Sequence, residues 1–146
     1  MACHKEHQAA HTCSPPEGLG KNELLVWETL SHNDKPMKAY EILDDLKSKG
    51  VRAPMTVYRA LDSLTHRGFI HKLEGRNAFV ICSHGGPHEV EAFLLCDKCD
   101  KVSEISTDGL DIFAAPDVRG ADFQVMNAKL EIRGICSECK KSEKAA

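Results

Sequence analysis

Cys96-Asp97-Lys98-Cys99 and Cys136-Ser137-Glu138-Cys139 are two CxxC pairs separated by thirty-six residues. Each CxxC folds as a tight turn that aims two sulfurs at one point, and two such turns supply the four thiolates of a closed tetrahedral zinc site. A closed site leaves no position for substrate or water, so its expected role is structural. The competing use, a redox CxxC, calls for a thioredoxin-like βαβ setting, which neither pair has. Further ligand-type residues gather elsewhere. His71, Cys82, His84 and His88 fall in and just beyond a stretch built like a plain β-ribbon, "GFIHKLEGRNAFVICSHGGPHE", and Cys3, His4, His7, His11 and Cys13 crowd the N-terminus. Taken singly, a strand histidine is ordinarily a satisfied surface residue and a lone cysteine a small core hydrophobe.

The chain that positions these groups has 146 residues, 42% of them hydrophobic, enough for one ordinary domain or two small ones. No apolar run approaches the roughly 18 residues of a membrane helix, and the opening MACHKEHQAAHTC is too polar for a signal peptide. A cytoplasmic protein without membrane association is expected. Seven cysteines, an odd number, in a reducing compartment point to metal thiolates rather than disulfides. The net charge of −3 hides an asymmetry: residues 47–76 carry seven Lys and Arg against Asp62 and Glu74, or +5. That is the footprint of a phosphate-binding surface, although a solvated helix face has the same composition.

Periodicity predicts the elements. Residues 1–20 lack it and end in Ser-Pro-Pro-Glu-Gly, as a mobile N-terminal arm would. Leu24, Leu25, Trp27 and Leu30 give a first helix over 22–31, and Ala39, Ile42, Leu43 and Leu46 a second over 37–49 closed by Gly50. Pro54 opens a third to about Arg67, with Val57, Ala60, Leu61 and Leu64 inward. Residues 69–73 and 77–82 then form a hairpin around Glu74-Gly75-Arg76. Three helices and a hairpin describe a winged helix over 21–82. After a hinge at 83–90, strands at 92–95 and 101–105, a helix from Thr107 to about Ala115, and strands at 123–125 and 128–135 build a small α/β module over 91–140, followed by a tail at 141–146. The expected class is α+β. So thin a module calls for a partner subunit over its exposed sheet edge.

On the third helix the inward set leaves Thr56, Tyr58, Arg59 and Ser63 nearer the outer face, where a hydroxyl, a phenol and a guanidinium can meet bases and phosphates in a major groove. The alternative has Tyr58 in the core and Arg59 paired with Asp62. "TVYRALDSL" followed by "GFIHKLEG", with the paired CxxC spacing, resembles the ferric uptake regulator family over about residues 19 to 140. The resemblance implies a dimeric repressor that binds palindromic operator DNA when metal-loaded, with Thr56, Tyr58 and Arg59 at the DNA, and it is nearest the zinc-sensing subgroup. It also implies two zinc ions per subunit: a structural one on Cys96, Cys99, Cys136 and Cys139, and a regulatory one on His71, Cys82, His88 and Glu104, with His84 as the alternative to His88.

Departures from the family pattern narrow the expectation. The iron sensors carry His-His-Asp-His before the first CxxC and a further His before the last, whereas these places read "HEVEAFLLC" and "VMNAKLEIRGIC". The Thr-Pro-x-Arg start before helix one is replaced by Gly20-Lys21-Asn22-Glu23, leaving Lys21 as its nearest substitute. Two imidazoles, one thiolate and one carboxylate suit tetrahedral zinc, bind it more weakly than four thiolates, and do so in a pH-dependent way. The reading is a zinc-dependent repressor controlling zinc uptake genes. The rivals are an iron, manganese or peroxide sensor on the same scaffold, and a zinc hydrolase with Glu104 as base, which needs an open coordination position.

Overall fold

The computed structural model describes residues 14–83, 89–109 and 114–145. The chain divides into two compact units, 1–87 and 88–146. His84, His88 and the Cys/His residues of positions 1–13 lie outside the described residues.

The first unit packs α1 (Lys21–Ser31), α2 (Ala39–Lys47) and α3 (Pro54–His66) against the hairpin β1 (Ile70–Leu73) and β2 (Ala78–Ile81). The helical spacing of apolar residues does what it should: Val26, Trp27, Leu30, Ile42, Leu46, Val57, Ala60, Leu61 and Leu64 are buried in one cluster with Ile70 and Phe79. Pro54 sits at the first turn of α3, where its missing N–H costs nothing. Gly50 and Gly68 take left-handed backbone, φ 89° and 73°, just past α2 and α3, a conformation that stops a helix cheaply only at glycine. The second helix is two residues shorter at each end than its apolar pattern allows: at its start Met37 leaves it to exchange backbone bonds with Phe79, N–O 3.0 and 2.8 Å, as a short third rung beside β2, and at its end residues 48–50 form a turn in which the Val51 N–H bonds to the Leu46 carbonyl at 3.1 Å. Residues at the end of the expected arm are also held: Arg67 donates to the carbonyls of Glu17 and Gly18 at 3.4 and 3.3 Å, and Leu19 packs on the core.

The second unit is a three-stranded sheet in the order β4-β3-β5, with β3 (Val90–Cys96) antiparallel to β4 (Val102–Glu104) and parallel to β5 (Ala128–Gly134). Two expectations fail here. Residues 107–109 are not helical: Gly109 turns the chain at φ 83°, and the short helix α4 begins at Pro116 (Pro116–Gly120). Residues 123–125 form no strand; Phe123 donates its N–H to Ala121 at 2.6 Å in a tight turn and is 73% exposed. An unforeseen helix, α5 (Ser137–Lys144), starts inside the second CxxC.

Candidate metal centres and nucleic-acid interface

Cys96 ends β3, Cys99 lies in the turn after it, and Cys136 and Cys139 begin α5 one residue beyond the strand β5 that runs parallel to β3. Parallel pairing of Cys96 with Gly134 therefore delivers both CxxC turns to the same end of the sheet. All four sulfurs lie within 4.8 Å of one another, and Cys99 Sγ and Cys136 Sγ are 3.8 Å apart. A tetrahedron with Zn–S bonds of about 2.3 Å has edges of roughly 3.8 Å, so the cluster has the right size for zinc. Its protonation chemistry agrees. The backbone N–H of Cys136, 3.3 Å away, and then those of Cys99 and Lys98 bring the Cys96 thiol down to about 6. Hydrogen bonding to Cys136, with burial and the other thiols behind it, pushes the Cys139 thiol up to about 12. Four thiols so close do not ionise together without a cation between them, and a divalent ion supplies that charge. Ion pairs secure the surroundings: Lys101 with Glu138 at 3.2 Å, Arg133 with Asp97 at 3.0 Å, and Lys98 with Glu143.

Strand alternation sorts the hairpin into two faces. Ile70, Phe79 and Ile81 pack on the helices. His71 pairs in register with Val80, so His71, Val80 and Cys82 share the opposite face. His71 is 1% exposed and Cys82 is buried, with the Cys82 N–H bonded to the Phe69 carbonyl at 3.0 Å. A ring nitrogen of His71 lies within 4.8 Å of Cys82 Sγ. An imidazole buried beside a thiol is a two-ligand half-site from one hairpin. Within the second unit, Glu104 closes β4 in register with Phe93 and is half-buried.

On α3 the inward residues leave Tyr58 and Arg59 exposed and Thr56 half-buried. Tyr58, 49% exposed, is not a core residue. Ser63, expected near the outer face, is committed inward: its hydroxyl donates to the Glu23 carboxylate of α1. Sequence reasoning missed a second feature. A groove of about 540 Å³ runs between the start of α2, the outer flank of α3 and the hairpin, with Lys38, Tyr40, Tyr58, His66, Lys72 and Asn77 on its walls. Its sequence signals are Tyr58 and the positive run over 47–76 that includes Lys72, whereas Tyr40, exposed at the first turn of α2, gives none.

A three-helix unit with a β-hairpin wing, joined to a sheet unit carrying a four-cysteine cluster, defines a winged-helix DNA-binding protein with a dimerisation module. The model of the ferric uptake regulator family matches residues 21–133, and the chain belongs to that family. It is 33% identical over 127 residues to the zinc uptake regulation protein of Escherichia coli K12, covering 86% of this chain and 74% of that one. Against the zinc uptake regulation protein of Mycobacterium tuberculosis H37Rv it is 29% identical over 107 residues, 70% of this chain and 78% of the other. Among solved structures, a zinc uptake regulator complexed with zinc and DNA superposes with a TM-score of 0.79 at 32% identity, over 86% of this chain and 85% of that one. Holo XcZur superposes with a TM-score of 0.72 at 38% identity, over 84% and 86%.

Proposed function

We propose that this protein is a zinc-responsive transcriptional repressor of zinc uptake genes. It is a regulator, not an enzyme, and works in the cytoplasm as a homodimer on palindromic DNA. The observation that carries the reading is the buried His71–Cys82 pair on the wing, in a chain of the ferric uptake regulator family that superposes on a zinc uptake regulator complexed with zinc and DNA.

Two zinc ions per subunit follow from the two ligand sets. Cys96, Cys99, Cys136 and Cys139 hold the structural one, and the signal zinc takes His71 and Cys82 together with His88 and Glu104. A cysteine in this second set favours zinc over the harder iron(II) and manganese(II). When bound there, zinc links wing, linker and second unit, and so favours the arrangement in which two α3 helices meet successive major grooves. Thr56, Tyr58 and Arg59 face the DNA in that arrangement.

The second subunit has a place to bind. Ala92, Leu94, Leu130 and Ile132 share one face of the sheet by register, and Leu94, Leu130 and Ile132 are 44%, 36% and 41% exposed. With β5 at the sheet edge, this is apolar surface of the kind a second copy buries.

The test is Cys82→Ser, titrated with zinc against a duplex that the zinc-loaded wild type has selected from a random-sequence pool. Zinc should tighten wild-type binding and leave the variant's binding unchanged. An equal zinc response in both would overturn the sensory assignment.

A further inference from the structure

Cys3, His4, His7, His11 and Cys13 take no part in either zinc set of the proposed repressor. Residues 3–13 hold two of the chain's seven cysteines and three of its eight histidines, and the only apolar side chains among these ligands are the methyls of Ala9 and Ala10. Cysteines in such company have no core to join, so the usual use of a lone cysteine as a small hydrophobe does not apply. The intervals are those of a chelate. His7 and His11 stand as H-x3-H, a spacing that brings two imidazoles to one zinc ion, and Cys3 and Cys13 bracket them.

The structure fixes where this segment joins the fold. Gly18, at φ 76°, turns the chain so that the Glu17 and Gly18 carbonyls accept from the Arg67 guanidinium at 3.4 and 3.3 Å, and Leu19 packs on the core. Arg67 in turn covers the Phe69 ring at 4.8 Å, and the Phe69 carbonyl accepts the Cys82 N–H at 3.0 Å. The root is thus anchored at the base of the wing. Only Ser14-Pro15-Pro16 separates Cys13 from Glu17, a tether of at most about 14 Å.

We propose that Cys3 and Cys13, with two of His4, His7 and His11, bind a further zinc ion tethered to the winged-helix unit. Five donors exceed the four that tetrahedral zinc takes, so this site draws on neither of the other two. Two thiolates and two imidazoles bind zinc less tightly than four thiolates and need neutral rings, which makes this ion exchangeable and acid-labile. The inference requires neither DNA binding nor the sensory role of Cys82.

The test uses the full chain, untagged and reduced, with Cys3→Ala, His4→Ala, His7→Ala, His11→Ala and Cys13→Ala combined, in the wild-type and the Cys82→Ser backgrounds. Each protein is equilibrated with buffered free zinc and its metal content measured; cobalt(II) loading then reports thiolate ligands by their charge-transfer absorption. The combined variant should hold one ion fewer per chain in both backgrounds, lose thiolate–cobalt absorption, and lack the zinc that wild type surrenders to a chelator ahead of its four-cysteine ion. Equal metal content in wild type and variant would overturn the site. A loss seen in the wild-type background but absent with Cys82→Ser would make these residues ligands of the sensory zinc, and a loss without change in thiolate absorption would remove Cys3 and Cys13; either overturns the assignment. Failure of Cys82→Ser to lose an ion of its own would overturn the sensory reading and leave this site standing.

Discussion

The carboxylate of Glu23, in the first turn of α1, lies 3.2 Å from the guanidinium of Arg67 at the end of α3. The same carboxylate accepts the Ser63 hydroxyl and, at 2.7 Å, the backbone N–H of Gly20. One acidic group thus caps α1 and fixes the last turns of α3, the helix that carries Tyr58 and Arg59. Arg67 extends the clamp to the carbonyls of Glu17 and Gly18 and lies 4.8 Å above the Phe69 ring, so the segment leading into α1 and the entry to the wing share one guanidinium.

This clamp makes the winged-helix unit sensitive to acid. The Ser63 hydroxyl, the Gly20 N–H and the Arg67 charge hold the Glu23 carboxyl below its ordinary value of 4.5. A group with a depressed folded-state pKa contributes stability that is complete above its unfolded value and is lost as pH falls through the folded one. Glu23→Gln should therefore cost about 1–2 kcal/mol at neutral pH, and the difference from wild type should close on acidification below 4.5. Urea unfolding followed by Trp27 fluorescence at several pH values measures both. A penalty independent of pH would assign the effect to packing rather than charge.

How much of the molecule is legible in its sequence depends on the range of the signal. The inward set of α3, Val57, Ala60, Leu61 and Leu64, is a local 3.6-residue period and is buried as that period requires. The four cysteines are legible because CxxC spacing is itself local geometry, although only the parallel pairing of β3 with β5 explains how turns thirty-six residues apart meet. The Glu23–Ser63–Arg67 clamp spans about forty residues between polar groups and leaves no period to detect. Helix α5 escapes detection for a different reason: it buries nothing, so it has no apolar stripe, and it is held by its cysteines and by the pairs Lys101–Glu138 and Lys98–Glu143. The helix expected from Thr107 does not start there because Gly109 turns the chain at φ 83°, and Pro116 opens α4.

Helix α5 should depend on the metal for the same reason. Eight residues, polar but for Cys139 and with no buried side chain, fall well short of the roughly 12 needed for a stable isolated helix. Chelation, or Cys139→Ser, should raise hydrogen exchange in residues 137–144 to near the rate of an unstructured peptide while α1–α3 keep their protection. Zinc loading should also release protons, because Cys139 holds its proton up to about 12 in the metal-free cluster. Calorimetry in buffers of different ionisation enthalpy reads that release, and affinity at this site should rise with pH. Retained protection of α5 after chelation would show that the ion pairs alone suffice.

Ile132→Asp tests the proposed subunit interface. Ile132 lies beside Leu94 in register and is 41% exposed, so a carboxylate there disturbs little inside one chain. Across a two-fold interface the same carboxylate is buried in both copies, and an unpaired charge in an apolar contact costs several kcal/mol. Light scattering after size exclusion should report a monomer for Ile132→Asp and a dimer for wild type, with the four-cysteine site still loaded. A variant that stays dimeric would move the interface away from this face.

Arg59 should contribute preference for particular bases rather than charge alone. Arg59 is exposed next to Tyr58 on α3, and a guanidinium entering the major groove bonds base acceptors in two places, which an ammonium cannot reproduce. Arg59→Ala should cost about 1–3 kcal/mol on the selected duplex and relax preference at one base position per half-site, with a much smaller effect on scrambled DNA. Arg59→Lys keeps the charge and should recover the scrambled-duplex affinity without recovering the preference. If Arg59→Lys restored both, Arg59 would be a backbone contact, and base reading on this helix would fall to Thr56 and Tyr58.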